Sequence, residues 1–208
     1  MRHTARLVMA MACLLSLAGM SGCSTPLSRL HDYNGADAGN LLFSLGEPGA
    51  PPASQIPTLS GKKLGTDDLI ELTYASSWGK VAPLDIPFAG GTGMVIARKL
   101  PPGEYEIGKI DISVSDDVFT VSNALPVPIR FTIQSGQTTY IGRYSTYVDL
   151  GNPEEPSQPG AVTVIPIASM RAVADISDEQ AIDMVSARNK YPYLKTGTVT
   201  SFVPLQGK

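Results

Sequence analysis

The chain has 208 residues, of which 43% are hydrophobic and 17% are charged, and its net charge is −3 with histidine neutral. This mildly acidic balance gives no reason to expect a nucleic acid or an anionic lipid surface as a partner. The length fits one domain with a sizeable core, and the 20 glycines and 17 prolines are typical of a turn-rich, mainly β protein.

The N-terminal segment has the layout of an export signal. Arg2 and Arg6 form a basic start, residues 7–17 are an apolar run, and small residues lead up to Cys23. The run is shorter than the about 20 apolar residues that a membrane-spanning helix needs. We therefore predict that residues 1–22 are a cleaved signal peptide.

The end of this segment, Met-Ser-Gly-Cys at residues 20–23, resembles the lipobox of bacterial lipoproteins. In that family the signal is removed before the cysteine, whose thiol carries a diacylglycerol. The resemblance implies lipidation of Cys23, and an ordinary secretion signal is the alternative. Met20 departs from the family pattern, which has leucine there. Ser24 resembles the sorting residue of lipoproteins on the periplasmic face of the outer membrane.

Cysteine and histidine are scarce in the mature chain. Removing the signal takes away two arginines and no acidic residue, which leaves 186 residues and changes the net charge from −3 to −5. Cys13 and His3 leave with the signal, Cys23 is lipidated, and His31 is the remaining histidine. Catalytic triads and zinc sites need imidazole or thiolate groups. The composition therefore favours a protein that is not an enzyme and binds no metal or other cofactor.

Residues 23–40 contain scattered glycine, proline and polar residues without an apolar period. We predict that they form the lipidated N-terminus and a flexible tether, in which His31 is a solvated side chain. The folded domain is predicted to occupy residues 41–208.

Much of this domain alternates apolar and polar residues, as half-buried strands do. In the segment 69–74, for example, Ile70, Leu72 and Tyr74 fall on one face. Further strands are predicted at residues 41–45, 94–97, 104–107, 110–114, 118–121, 129–133, 138–144, 162–165, 170–174 and 198–203.

The parity of the apolar residues changes in the middle of the domain. Tyr105 and Ile107 cannot share a face of a regular strand with Ile110 and Ile112. A bulge near Gly108 reconciles the two sets, as would two strands that meet there.

Three stretches rich in glycine or proline are predicted to be loops or turns. Residues 46–61 contain four prolines and form a loop. Residues 90–93 form a turn and not a phosphate loop, because a predicted strand follows where a phosphate site needs a helix N-terminus. Residues 134–137 are predicted to be a hairpin turn.

The central motifs resemble a recurring pattern in small Gram-negative lipoproteins of unknown function. The motifs are Leu-Pro-Pro-Gly-Glu-Tyr, Ile-Arg-Phe-Thr-Ile and Ser-Gly-Gln-Thr-Thr-Tyr-Ile-Gly, in that order within residues 100–144. Those proteins have a transthyretin-like or carboxypeptidase-regulatory-like domain. The resemblance implies a mainly β fold, an antiparallel β-sandwich of transthyretin-like or Ig-like type, with one C-terminal helix. No catalytic residue comes with the pattern.

The C-terminal helix is predicted near residues 178–190. Ser177 and Gln180 fit a capping box, and the helix must stop before Pro192. The apolar stripe predicted to pack across the sandwich consists of Ala181, Ile182 and Val185.

The long irregular segment at residues 75–92 carries Trp78 and Phe88. Aromatic side chains in such a loop cap one end of a sandwich, and we favour this interpretation. They also form contact surfaces, since tryptophan is enriched in interfaces. Trp78 and Phe88 are therefore the candidate partner contacts.

Together these features predict an outer-membrane-anchored periplasmic lipoprotein, a non-catalytic module that binds another envelope protein. An exposed sheet edge that accepts a strand is one mode of binding. A carrier of a small apolar ligand is the alternative, and it needs a pocket between the sheet and the helix. A further alternative is an accessory lipoprotein of a secretion system, since the type VI secretion lipoprotein also has a transthyretin-like sandwich.

Overall fold

The computed structural model describes residues 32–48, 55–73, 86–88, 91–114, 119–151, 169–194 and 197–203. Within these ranges the protein is mainly β, with ten strands and one α-helix. The strands are β1 (Gly39–Glu47), β2 (Gln55–Lys63), β3 (Leu69–Thr73), β4 (Ile86–Phe88), β5 (Gly91–Leu100), β6 (Gly103–Val114), β7 (Phe119–Ile133), β8 (Thr138–Asp149), β9 (Arg171–Ser177) and β10 (Val199–Ser201). The helix, α1 (Gln180–Lys190), is followed by a 3-10 turn at Pro192–Leu194.

The described strands form two sheets. The large sheet has six strands in the order β10-β8-β1-β5-β4, with β9 also paired to β8. The small sheet has four strands in the order β3-β2-β6-β7. β9 and β10 occupy the same side of β8 at different heights, because β10 pairs with residues 138–140 and β9 with residues 143–149.

One hydrophobic core lies between the inner faces of the two sheets. β1 contributes Leu41, Phe43 and Leu45 to it, each of them fully buried. From the small sheet, the ring of Tyr105 stacks on that of Phe131 with 5.5 Å between centroids. Side chains from both sheets thus fill a single core, which holds the sheets face to face.

β1 is buried on both of its faces. While its odd-numbered residues enter the core, Leu42 belongs to a second apolar cluster with Met184 and Ala187 of α1 on the outer face of the large sheet. A strand covered on both sides has no need of polar alternation. This explains the nearly continuous apolar sequence of residues 41–45.

Several strand predictions are confirmed in position and in facing. β3 begins at Leu69 as predicted, and Ile70 and Leu72 are both buried. The bulge predicted near Gly108 is also confirmed: Gly61 and Ser60 of β2 are opposite Ile107 and Lys109 of β6, so β6 contains one extra residue there.

The prediction of an antiparallel architecture is wrong for part of the large sheet. β8 pairs in parallel with β1 and with β10, whereas its pairing with β9 is antiparallel. The large sheet is therefore mixed. Side chains alternate between the two faces of a strand whatever the direction of its neighbour, so the sequence pattern carries no information about direction.

The loop predicted at residues 46–61 is wrong at both ends, since residues 46–47 belong to β1 and residues 55–61 form most of β2. This strand lies between β3 and β6, and the pairing on both sides overrides its proline and glycine. At Gly61 a Cβ atom would come within 2.1 Å of the Glu106 carbonyl oxygen. Glycine is required there because it allows the two backbones to approach each other.

Two of the predicted turns have different outcomes. Within the turn predicted at residues 90–93, Gly91 to Gly93 belong to β5 and pair with β4. The turn at residues 134–137 is confirmed, with the Gln137 N–H donating to the Gln134 carbonyl at 3.1 Å. It joins β7 of the small sheet to β8 of the large sheet, so it does not form a hairpin.

The folded region begins earlier than predicted. β1 starts at Gly39, and the backbone N–H of Tyr33 donates to the Lys99 carbonyl at 2.9 Å. The tether predicted over residues 23–40 is therefore too long at its C-terminal end. Its residues up to 31 lie outside the described part of the chain.

Candidate functional site

Helix α1 packs on the outer face of the large sheet. Its buried residues Met184 and Ala187 form an apolar cluster with Leu42, Val95 and Tyr140, which come from three adjacent strands. These side chains pack α1 against the middle of the large sheet.

A buried carboxylate ties the helix to the sheet. Asp183 is fully buried, and its Oδ2 accepts hydrogen bonds from Ser44 Oγ and the Tyr140 hydroxyl, both at 2.7 Å. Its Oδ1 accepts from the guanidinium of Arg143, whose Nε lies 3.2 Å away and whose Nη2 forms an ion pair with the same oxygen. We call these four residues the Asp183 anchor. Each carboxylate oxygen is satisfied, as a buried charge requires.

The hydroxyl of Tyr140 remains protonated in this setting. Burial, followed by the hydrogen bond to the Asp183 carboxylate, raises the pKa of Tyr140 well above its ordinary value of 10.0. The same hydroxyl accepts a hydrogen bond from the backbone N–H of Glu179 at 3.3 Å. Tyr140 therefore holds both the start and the middle of the helix.

A β-bulge at Gly142 makes this arrangement possible. Leu42 of β1 is opposite Tyr140, but Ser44 is opposite Arg143, so β8 contains one extra residue at this point. Gly142 has a φ of +114°, a conformation that favours glycine. The extra residue reverses the alternation, which allows Tyr140 and Arg143 to reach the same carboxylate.

The predicted helix is confirmed between Gln180 and Lys190, but its predicted apolar stripe is wrong. The buried residues of α1 are Asp183, Met184 and Ala187. Ile182 and Val185 lie on the solvent side, with exposed fractions of 53% and 63%. The helix is rotated away from the orientation predicted from Ala181, Ile182 and Val185, and its inner face carries Asp183, Met184 and Ala187 instead.

The predicted capping box is also wrong. Ser177 belongs to β9, and the N-cap residue Glu179 makes no side-chain capping hydrogen bond. Instead, Oδ1 of Asp178 accepts a hydrogen bond from the backbone N–H of Gln180 at 3.2 Å. The strand continues to Ser177 because it pairs with Arg143, so the helix begins later than predicted.

An open groove of about 770 Å³ runs along the exposed side of α1. Ile182 and Val185 contribute its apolar surface on the helix, and Val199 of β10 is part of its lining. Among the described residues, its lining is Asp178, Glu179, Gln180, Ala181, Ile182, Met184, Val185, Arg188, Gly197 and Val199. The groove is therefore acidic near the start of the helix, apolar in the middle and basic near the end.

The residues singled out from the sequence lie elsewhere. Cys23, His31 and Trp78 fall outside the described residues, as do the predicted signal peptide and the predicted strand at 162–165. Phe88 lies in β4, where it is opposite Gly91, and its side chain is also outside the described part.

No pattern in the sequence predicted the Asp183 anchor. Two local signals pointed to it: Ser44 is polar within an apolar strand, and Asp183 is acidic between Ile182 and Met184. Their connection depends on β8 lying beside β1 in parallel, which no local pattern indicates.

No helix among the described residues is long and apolar enough to cross a membrane. In the same ranges, no group of three or more His, Cys, Asp or Glu residues is placed to hold a metal ion.

No family model matches the chain, and no curated protein matches its sequence. Among solved structures, a leucine-rich repeat protein from Bacteroides thetaiotaomicron VPI-5482 aligns with 54% of this chain at 12% identity and a TM-score of 0.33. The alignment covers 14% of that protein. A similarity of this size carries no argument about fold or function.

Proposed function

We propose that this protein is a lipoprotein anchored through Cys23 to the periplasmic face of the outer membrane, where it acts as a non-catalytic module that binds another envelope protein. The lipobox resemblance at residues 20–23 supports the anchor. The pattern over residues 100–144, together with two sheets that share one core, supports a sandwich of transthyretin-like type. The groove beside α1 is the proposed binding surface.

The observation that carries this proposal is the orientation of α1. Burying a valine or isoleucine side chain stabilises a protein by about 1.5–3 kcal/mol. The inner face of α1 is occupied by Asp183, Met184 and Ala187. Ile182 and Val185 therefore lie outward beside the groove, without this stabilisation. A partner that covers Ile182 and Val185 buries these apolar side chains, and this burial stabilises the complex.

The charge distribution defines the chemistry of the partner. Asp178 and Glu179 lie at one end of the groove and Arg188 at the other. A short amphipathic helix fits this surface when it runs antiparallel to α1 and has apolar residues at its centre. Its basic end then faces Asp178 and Glu179, and its acidic end faces Arg188.

Crosslinking in membranes followed by affinity capture tests the proposal. We expect Ile182→Asp to abolish the adduct formed by the native protein, because it places a carboxylate in the apolar part of the groove. Val127→Asp is the matched control, because Val127 is 70% exposed on β7, outside the lining of the groove. It should retain the adduct. An adduct that survives Ile182→Asp would refute binding at the groove.

The anchor is tested separately with Cys23→Ala. This variant should lose palmitate labelling and leave the membrane fraction. Labelling that persists in Cys23→Ala would show that the anchor lies elsewhere or is absent.

A further inference from the structure

Two tyrosines and two lysines form a continuous surface where α1 ends. The ring centroids of Tyr191 and Tyr193 are 5.8 Å apart. Lys99 Nζ lies 4.9 Å from the ring centroid of Tyr193, and Lys190 Nζ lies 5.6 Å from that of Tyr191. We call these four residues the tyrosine–lysine patch. None of the four is among the described residues that line the groove.

The chain enters the folded domain beside this patch. The backbone N–H of Tyr33 donates to the Lys99 carbonyl at 2.9 Å. Burial, followed by the neighbouring Tyr191 and Asp32, raises the pKa of Tyr193 to about 12, so its hydroxyl is uncharged at neutral pH. The first described residues of the chain are therefore attached to the side of the domain that carries the patch.

The distance to the proposed lipid anchor limits where this side of the domain can lie. Asp32 comes nine residues after Cys23. Nine residues span at most about 30 Å even when they are fully extended. The patch is therefore kept near the bilayer surface, whatever the conformation of the residues between the anchor and the domain.

We propose that the tyrosine–lysine patch docks on the headgroup layer of the bilayer that holds the lipid anchor. Tyrosine is enriched at this depth of membranes because its ring is apolar and its hydroxyl is polar. Lysine reaches the lipid phosphates with its ammonium group while its aliphatic stem covers apolar surface. The side chain of Tyr193 is available for this contact, since the residue is 40% exposed.

The local charge favours an anionic surface, although the chain as a whole is acidic. Arg98 lies near enough to Tyr193 to oppose the rise in its pKa, so it adds a third cation to the two lysines of the patch. The carboxylates beside the entry of the chain are Asp32 and Asp37. Three cations and two carboxylates leave an excess of one positive charge, which is opposite in sign to the net charge of the chain.

This inference rests on the anchor in the proposed function and gives the patch a separate task. The lipid retains the protein on the membrane, and the patch fixes the orientation of the domain there. Because the patch lies where α1 ends, docking turns the C-terminal end of the helix towards the bilayer. The groove beside α1 is then presented to its partner in one orientation.

Quenching by headgroup-labelled lipids tests the inference. The lipidated full chain is placed in phosphatidylethanolamine–phosphatidylglycerol vesicles in which some lipids carry a nitroxide on the headgroup. A fluorophore is attached at Asn189→Cys, an exposed position next to the patch, or at Val127→Cys, an exposed position on β7. The label at position 189 should be quenched strongly and the label at position 127 weakly, because nitroxide quenching requires close approach.

Removing the two patch lysines should undo this difference. Lys99→Gln combined with Lys190→Gln should weaken docking about fivefold for each lysine, and quenching at position 189 should fall towards that at position 127. Glutamine keeps a hydrogen-bond donor at each site. Lys109→Gln combined with Arg171→Gln is the matched control, because it removes two positive charges from β6 and from the start of β9. It should keep the quenching of the native protein.

Three results would overturn the inference while leaving the anchor in place. They are equal quenching at the two label positions, quenching at position 189 that survives the loss of both patch lysines, and an equal loss of quenching in the matched control. Each is read on vesicles that still carry the protein. A native protein that fails to float with the vesicles would instead refute the anchor, and the proposed function and this inference would fall together.

Discussion

The two faces of the large sheet are stabilised by different physics. Its inner face meets the small sheet in a core of apolar side chains, such as Phe43 and Ile141. Its outer face is covered by one helix, which is held by a buried ion pair and a small apolar cluster. Apolar side chains can pack in many orientations, whereas a carboxylate that is hydrogen-bonded to three fixed donor groups fixes a single orientation of the helix. The outer face therefore sets the rotation of α1 and, with it, which residues face solvent.

The inner face should show the largest response to mutation. Phe43→Ala removes a fully buried ring from the core between the sheets, and we expect a loss of about 3–5 kcal/mol in the free energy of unfolding. Urea denaturation followed by far-UV circular dichroism measures it. Val127→Ala, at an exposed site, should change stability by less than about 0.5 kcal/mol. A loss below about 1 kcal/mol for Phe43→Ala would contradict the assigned core.

On the outer face, removing the charge of Asp183 should cause the second-largest loss of stability. Asp183→Asn keeps the shape and two hydrogen bonds but removes the negative charge that pairs with the Arg143 side chain, which is 12% exposed. We expect a loss of about 2–3 kcal/mol in urea denaturation.

The double variant Asp183→Asn with Arg143→Met separates the ion pair from the packing. Because the buried cation that faces residue 183 is removed, the double variant should be more stable than Asp183→Asn alone. Equal stability of the two variants would mean that the charge of Arg143 does not matter there.

The bulge that serves the anchor should give a smaller effect. In Gly142→Ala the residue must adopt an unfavourable φ of +114°, and its Cβ would lie 2.9 Å from Cγ2 of Ile176. We expect a loss of about 2 kcal/mol in stability, measured by thermal unfolding. Gly108→Ala is the control, because its Cβ would meet open space and its φ lies outside the left-handed region. A Gly142→Ala protein as stable as the control would exclude a strained bulge.

The hydroxyl of Tyr140 should have a pH-dependent effect. Since its pKa is raised in the folded protein, Tyr140 contributes stability that is complete below pH 10 and is lost as the pH rises above 10. Tyr140→Phe should therefore lower stability by about 1.5 kcal/mol at about pH 7 and by less at about pH 11. Burial also raises the pKa of Tyr144, which is present in both proteins and cancels in the difference. A difference that is constant with pH would contradict a buried, protonated Tyr140.

The same contrast explains what the sequence could reveal. The alternation of apolar and polar residues predicted β3 and the bulge at Gly108. In a half-buried strand, the apolar positions show which side chains face the core. Apolar periodicity also located α1. It predicted the wrong buried face, because an acidic residue such as Asp183 is expected in solvent. Asp183 is buried because it bonds to side chains about 40 and 139 residues away in the sequence. The strand directions in the large sheet and the strand β2 likewise depend on distant pairing.

Among these stability variants, Val185→Asp should have the smallest effect on stability, and it should abolish binding as Ile182→Asp does. It tests most directly whether the outward face of α1 serves binding and not folding. Unfolding in urea and crosslinking in membranes would be measured on the same preparation. We expect a change in the free energy of unfolding within about 0.5 kcal/mol of the native protein, because the side chain is exposed, together with loss of the membrane adduct. An unchanged adduct, or a loss of stability above about 2 kcal/mol, would contradict this role.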